Sequence, residues 1–425
     1  MSDVRAVKGM NDVLPDEVER WHRLESAFRE TARRFGYAEV RTPVVEPTQL
    51  FVRSIGEATD IVEKEMYSFT DKGEDSLTLR PEGTAGAVRA LIEHKVYSLE
   101  PVTKWYYVGP MFRRERPARG RYRQFWQAGL ECFGDPGPFV DAEMISLVAG
   151  LLGSMGIGSI EVLVNSLGSG DTRARYREQL KGYFEPRLTE LSADSQRRFH
   201  TNPLRILDSK VDIDREISAG APKLTEVLSG EDRAHFDGLC QALEALGVRY
   251  RIEPTLVRGL DYYSRTLFEI QGQGGELGAQ NTLCGGGRYD GLVKELGGPD
   301  LPSIGFAMGL ERILLAMAAT QASPRVDVLV AVATPELRSK ALAVLDQLRK
   351  AGIAADADLR GQSLKSQLRR TERLGARLAI VLGPAELERG VAQVKDLAAH
   401  AQSEVALGDL AATAKNMLAG ASGAA

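Results

Sequence analysis

From Phe125 to Phe133 the chain reads Phe-Trp-Gln-Ala-Gly-Leu-Glu-Cys-Phe, and this period-two alternation dictates a strand with two unlike faces. Trp126, Ala128, Leu130 and Cys132 make an apolar face that has to be buried. Phe125, Gln127, Gly129 and Glu131 make the other: an aromatic plate, an amide, a gap and a carboxylate. Just upstream, six arginines and one glutamate fall between Arg113 and Arg123, with Pro117 and Gly120 as turn signals. Residues 103–115 and 123–133 are therefore expected to pair as an antiparallel hairpin, with Arg113 and Glu115 on one parity and Phe112 on the other. A solvated charged hairpin accounts for most arginine runs. Here Gln and Glu flank glycine on one face of the returning strand, which favours a ligand floor, and arginine grips phosphate with a planar fork of donors.

The arginines are a local feature, because the whole chain has a formal charge of −4. That balance argues against indiscriminate nucleic-acid binding and permits a basic patch on an acidic body. A chain of 425 residues, 43% hydrophobic and 26% charged, is globular and long enough for two or three domains with their own cores. Cys132, Cys240 and Cys284 lack Cys-x-x-Cys spacing and the five histidines lack a His-Glu-x-x-His pattern, so reduced thiols and no structural zinc are expected. The polar N-terminus has no signal-peptide core, which predicts the cytoplasm. The uncharged stretch from Met144 to Ile160 is short for a membrane span and predicts a buried helix.

Along the chain, Val18, Trp21, Leu24, Phe28, Thr31, Ala32 and Phe35 recur at helical spacing, with Gly36 as the C-terminal stop before a strand from Ala38 to Thr42. A strand from Ser76 to Arg80 leads through Pro-Glu-Gly-Thr into a helix reaching His94, where Thr84 is either an N-cap or a pocket residue. Residues 170 to about 245 read as a helical insertion, and strand-like alternation then runs from Tyr250 through Leu256 to Ile270. Gly285 to Gly287 reads as close backbone packing and Gly272 to Gly278 as a turn, since neither has phosphate-loop spacing. After Ser323-Pro324 a buried strand, Val326 to Ala333, opens a small α/β domain. Its helix from Gln362 to Leu374 carries Lys365, Arg369, Arg370 and Arg373, which suits either a solvated face or an RNA contact.

Phe112-Arg113-Arg114-Glu115 resembles motif 2 of the class II aminoacyl-tRNA synthetases, Gly309-Leu310-Glu311-Arg312 their motif 3, and Gly36 to Pro43 their motif 1. The segments Leu256 to Tyr263 (LVRGLDYY) and Cys284 to Gly291 (CGGGRYDG) resemble two signatures of the histidyl-tRNA synthetase family, and Lys8 to Asp12 and Leu79 to Gly86 agree with it. The resemblance covers essentially the whole chain. It implies a class II α+β catalytic domain over 1–323, an antiparallel sheet flanked by helices with the insertion reaching toward the tRNA acceptor, and an α/β anticodon-binding domain over 324–425.

It also implies the reaction, in which ATP with Mg2+ activates L-histidine to histidyl-adenylate and the histidyl group passes to tRNA(His). By the same resemblance Arg113 bridges the histidine carboxylate and the α-phosphate, and Arg258 lies across from it. Glu115 faces the adenine amino group, Phe125 stacks on the base, and Arg121 and Arg312 hold the γ-phosphate. Glu82 and Gln127 take the α-amino group, Gly83 and Thr84 form the pocket wall, and Glu131, Tyr262 and Tyr263 meet the imidazole. In an unbroken strand Tyr262 and Tyr263 would point to opposite faces, so either the backbone bends near Gly259 or one acts indirectly. A homodimer is implied by motif 1 alone. Many bacterial members carry glutamine where this chain has Ala118, so reading of the acceptor end is expected to differ while phosphate contacts by Arg116 and Arg119 persist. The other reading is the regulatory subunit of ATP phosphoribosyltransferase, whose members generally lack the ATP-facing arginines and the tail domain that this chain has.

Overall fold

The computed structural model describes residues 3–56, 59–257, 260–273, 277, 281–318 and 325–419. The chain divides into two compact units, Met1–Thr320 and Gln321–Ala425. In the first, α1 (Pro15–Arg34) precedes β1 (Ala38–Glu39), β2 (Val45–Pro47), α2 (Thr48–Ile55), β3 (Tyr67–Thr70), β4 (Ser76–Leu79) and α3 (Thr84–Glu93). The hairpin β5 (Thr103–Phe112) and β6 (Gln124–Phe133) follows, then α4 (Pro138–Ser154) and β7 (Ile160–Ser166). The expected helical stretch holds α5 (Gly170–Phe184), α6 (Ala193–Thr201), α7 (Asp212–Ser218) and α8 (Gly230–Ala245). The unit ends with β8 (Tyr250–Ile252), β9 (Ser264–Gly272), β10 (Thr282–Arg288), α9 (Leu292–Glu295), β11 (Ser303–Gly309) and α10 (Leu310–Ala316).

Among the described residues eight strands form one sheet in the order β1-β5-β6-β11-β10-β9-β7-β8. Every pairing is antiparallel except the two at the edges, β1 with β5 and β7 with β8. The hairpin has the register expected of it, from Phe112 opposite Gln124 to Thr103 opposite Phe133. Ala128, Leu130 and Cys132 of β6 enter the main core with Phe306 of β11, Phe28 of α1, Val148 of α4 and Leu239 of α8. The sheet's other face holds the cleft between two smaller clusters, Phe133 with α3 and α9 on one side and Leu163 and Leu267 with α5 on the other. Helix α1 obeys its sequence signals: Pro15 starts it, Asp16 and Glu17 sit in the first turn, Arg33 and Arg34 in the last, and Gly36 at φ +81° ends it.

Two expectations need correction. Met144 to Ile160 is not one helix, because α4 stops at Ser154 and Gly156 turns the chain at φ +77° into β7. Nor does a strand run from Leu256 to Ile270. Strand β9 begins only at Ser264, and the carbonyls of Asp261 and Tyr263 accept hydrogen bonds from Arg173 of α5 rather than from a neighbouring strand.

A buried ion network ties the cored side together. Arg288 is fully buried, its Nε donates to Asp141 Oδ2 at 3.0 Å, and its Nη2 lies 2.7 Å from Asp141 Oδ1. Asp141 Oδ2 also takes the Thr266 hydroxyl at 2.6 Å and lies 2.9 Å from His235 Nε2. The guanidinium's other N–H groups reach the carbonyls of Asp135 and Gly137 and the Asp290 carboxylate, so the buried charge is paired and hydrogen-bonded.

In the second unit, β12 (Val328–Val332), α11 (Arg338–Lys350), β13 (Ala355–Ala357), α12 (Leu364–Leu374) and β14 (Leu378–Leu382) give a parallel layer in the order β13-β12-β14. It is extended antiparallel by β15 (Val391–Asp396) and β16 (Ala401–Ala406), with α13 (Pro384–Glu388) before them and α14 (Leu410–Ala419) after. All of β12 is buried, as its unbroken apolar run predicts. Of the basic residues on α12, Arg370 is committed to the fold through an ion pair with Asp356.

Candidate active site

The polar face of the sheet opens into a cleft whose lining comes from β6, β10, β11, α3 and α10 and from the turn before β9. The space exists because small residues face it. Gly305 lies opposite Glu131, Ala307 opposite Gly129 and Gly309 opposite Gln127 across β11 and β6, and Gly285 lies opposite Ala307 across β10. A Cβ on Gly305 would overlap the Glu131 carboxylate, and one on Gly83 or Gly129 would overlap the Tyr107 ring. The glycines therefore give room to specific side chains as well as to a ligand.

At the closed end Glu131 is wholly buried. Its Oε1 accepts from the Thr84 hydroxyl at 2.7 Å and from the Tyr107 hydroxyl at 3.1 Å, and its Oε2 accepts from the Tyr289 hydroxyl. No cation is among these partners, so burial outweighs the three hydrogen bonds and pushes the carboxyl up to about 8. Burial likewise holds the Tyr107 and Tyr289 phenols well above their ordinary value. Glu131 forms the base beneath Thr84 and Tyr289, which themselves line the cleft.

Glu82 answers the question posed by Thr84. The Glu82 carboxylate accepts the backbone N–H of Thr84 at 2.6 Å and of Ala85 at 2.9 Å, so Glu82 caps α3 and the Thr84 hydroxyl is free to reach Glu131. The N-cap reading of Thr84 is thereby overturned. Burial raises the Glu82 carboxyl, with those two N–H bonds and Arg113 opposing the rise. Gln127, which also lines the cleft, has a buried Oε1 with no hydrogen-bond partner among the described residues.

The open end is cationic. Arg113 donates to the Pro81 carbonyl at 2.9 Å, and its guanidinium lies 5.3 Å from the centre of the Phe125 ring. Arg121 pairs with Glu115, whose carboxyl burial raises against the pull of Arg121. Arg312 of α10 donates to the carbonyls of Gly120 and Thr282, both at 3.1 Å, and so pins the tip of the arginine turn to β10. That turn closes through two bonds between Ala118 and Arg121, with Gly120 at φ +70°.

Of the residues expected from the sequence, Glu82, Thr84, Arg113, Glu115, Arg121, Phe125, Gln127, Tyr262, Tyr263 and Arg312 all line this one cleft, while Gly83 and Glu131 stand directly behind its wall. Arg258 lies outside the described residues. Tyr262 and Tyr263 both reach the cleft because Leu260 to Tyr263 is not strand, and their ring centres are 4.7 Å apart. Sequence reasoning missed Tyr107, Tyr289 and Glu311. Tyr289 sits inside the quoted CGGGRYDG segment, and Tyr107 shares the parity of Arg113 three steps of alternation further back. Glu311 accepts the Trp126 N–H at 2.9 Å, and burial pushes its carboxyl up to about 7.

Residues 9–313 match the family model described as histidyl-tRNA synthetase, and residues 327–417 match an anticodon binding domain. A histidine–tRNA ligase of Sorangium cellulosum is 58% identical over 405 residues, 95% of this chain and 94% of that protein. The Bacillus subtilis ligase is 46% identical over 406 residues, covering 94% of this chain and 96% of its own. Among solved structures, apo histidyl-tRNA synthetase of Staphylococcus aureus aligns with a TM-score of 0.82 and 36% identity, over 97% of this chain and all of that one, the 100% coverage leaving no domain of it unmatched. A Bacillus halodurans protein described as an ATP phosphoribosyltransferase regulatory subunit or histidyl-tRNA synthetase aligns at 0.65 with 21% identity, over 89% and 98% of the two chains, and shares the fold. With a family model spanning its catalytic unit and a close relative matched over nearly its full length, this chain belongs to the histidyl-tRNA synthetase family.

Proposed function

We propose that the protein attaches L-histidine to tRNA(His) in two steps. The histidine carboxylate attacks the α-phosphorus of ATP, giving histidyl-adenylate and pyrophosphate. The 3′-hydroxyl of the terminal adenosine of the tRNA then attacks the adenylate carbonyl and releases AMP. Neither step needs a protein nucleophile, so catalysis rests on positioning and on charge stabilisation.

The observation that carries this reading is a cleft with two unlike ends: a buried carboxylate ringed by hydroxyls, Glu131, and a mouth holding Arg113, Arg121 and Arg312. Histidine has one ring N–H for Glu131 and one ring nitrogen for a hydroxyl of Tyr262 or Tyr263, and a side chain lacking either leaves a buried partner unpaired. Glu82 and the unpartnered Gln127 Oε1 receive its ammonium, with Gly83 and Thr84 as wall. Arg113 bridges the carboxylate and the α-phosphate, Phe125 stacks on adenine, Glu115 takes the adenine amino group, and Arg121 and Arg312 take the γ-phosphate. Arg258, by family resemblance, completes the charge stabilisation at the α-phosphate. ATP enters as its magnesium complex. The ion travels with the phosphates, and among the described residues no group of three or more ligating side chains forms a dedicated cage for it.

The second unit reads the anticodon, the helical stretch of α5 to α8 faces the acceptor end, and the protein works as a homodimer in the cytoplasm. The resemblance of the domains supports each of these. The direct test is charging of tRNA(His) with labelled histidine. Product dependent on histidine, ATP and tRNA together is expected, and histidine binding without any charging would move the protein to the regulatory-subunit class.

A further inference from the structure

The two tyrosines at the closed end of the cleft are held from behind by the helical insertion. Arg173 of α5 donates from Nη1 to the Tyr263 carbonyl at 2.9 Å and from Nη2 to the Asp261 carbonyl at 3.1 Å, gripping the backbone on both sides of Tyr262. The Asp261 carboxylate in turn accepts from the Asn202 side-chain amide at 2.7 Å, just beyond the end of α6. These bonds stand where sheet pairing is missing, since β9 starts at Ser264. Packing agrees with them. Leu256, Val257 and Tyr263 share a buried cluster with Tyr176, Leu180 and Phe184 of α5 and with Phe199 of α6.

A turn whose side chains must meet a small ligand within a few tenths of an ångström has to be held from outside, and here the Asp261 N–H donates to the Ile55 carbonyl at 3.3 Å while the forked guanidinium of α5 holds the two carbonyls that flank Tyr262. Arg173 itself does not touch the space where the ligand's side chain would lie. We propose that Arg173 is a positioning residue for histidine: its grip on Asp261 and Tyr263 sets the two tyrosine rings against the imidazole, so that histidine affinity depends on how the inserted helices are docked. Binding to the insertion and binding in the cleft then influence each other reciprocally. The proposal rests on the assignment of the closed end to histidine given above.

The test is histidine-dependent ATP–pyrophosphate exchange on the full chain, comparing wild type with Arg173→Met. The expected result is a rise of about tenfold in KM for histidine, the usual effect of one displaced hydrogen bond in a buried site, with KM for ATP changed less than about twofold. Tyr263→Phe should harm the Arg173→Met protein less than it harms wild type, because the ring is already displaced. Arg173→Lys, which keeps the charge and loses the fork, should recover only part of the affinity. If Arg173→Met does not fold, Asn202→Ala removes one bond to the same turn and should raise KM for histidine in the same sense by about threefold. An unchanged KM for histidine with a lowered yield or melting temperature would make Arg173 purely structural and overturn the proposal, as would independent, multiplying effects of Arg173→Met and Tyr263→Phe. Absence of exchange in wild type would strike the assigned function instead, so the two failures are distinct.

Discussion

Gly305 lies directly across the β6–β11 ladder from Glu131, and the space a Cβ would need there is filled by the Glu131 carboxylate. The pair works as a unit, because Glu131 is already held by Thr84, Tyr107 and Tyr289 and has nowhere to retreat. Gly305→Ala should therefore raise KM for histidine by about tenfold or more and destabilise the protein by about 1–3 kcal/mol, the usual range for overpacking. Exchange kinetics with ATP and histidine varied separately will read it. An alanine variant with unaltered histidine kinetics would mean that Glu131 is not the group that selects the ligand.

The raised pKa of Glu131 has a definite sign. Its folded value of about 8 exceeds its ordinary 4.5, so the folded state holds a proton the unfolded state gives up. The favourable contribution is complete below pH 4.5 and is lost as pH rises through about 8. Glu131→Gln removes the titration, so the melting temperature of the variant relative to wild type should climb between pH 5 and pH 8, the window set by those two values. Calorimetry of both proteins without ligand checks this. A pH-independent difference would show that Glu131 stays ionised, while histidine affinity should fall in the variant at every pH.

Arg288 and Asp141 neutralise each other without access to water. Arg288→Met leaves the Asp141 carboxylate buried with only Thr266 and His235, and loss of one partner of such a pair costs about 3–5 kcal/mol. Urea denaturation should show that drop. A loss under about 1 kcal/mol would place the pair among those contributing little to stability.

The sequence made the hairpin legible because alternation there is strict: Phe125, Gln127 and Glu131 fall on one face and Ala128, Leu130 and Cys132 on the other, as observed. Motif resemblance then named most of the cleft's lining. Two kinds of feature stayed hidden. Local breaks depend on partners distant in sequence: alternation predicts strand through Leu260 to Tyr263, whereas the carbonyls of Asp261 and Tyr263 are satisfied by Arg173, about ninety residues away. Hydrogen-bond exchange between side chains is equally silent. Nothing in Pro-Glu-Gly-Thr shows that Glu82 caps the helix and releases Thr84 to Glu131, or that Tyr107 and Tyr289 complete the ring around that carboxylate.

Arg258 is expected to act on the α-phosphate as the displacement proceeds, so its loss should be felt mostly in the transition state. Arg258→His should leave histidine binding measurable while cutting the rate of adenylate formation by about a hundredfold or more, as for other single charge-stabilising donors. Calorimetric binding of histidine beside exchange rates separates the two effects. A rate equal to wild type would remove Arg258 from the mechanism.

The central claim is that the closed end of the cleft selects histidine for activation by ATP, and amino-acid-dependent ATP–pyrophosphate exchange without tRNA tests it most directly. The account predicts exchange with histidine and background rates with other amino acids, flat aromatic and polar ones included. Exchange with another amino acid at a comparable rate, or none with histidine although histidine binds, would contradict it.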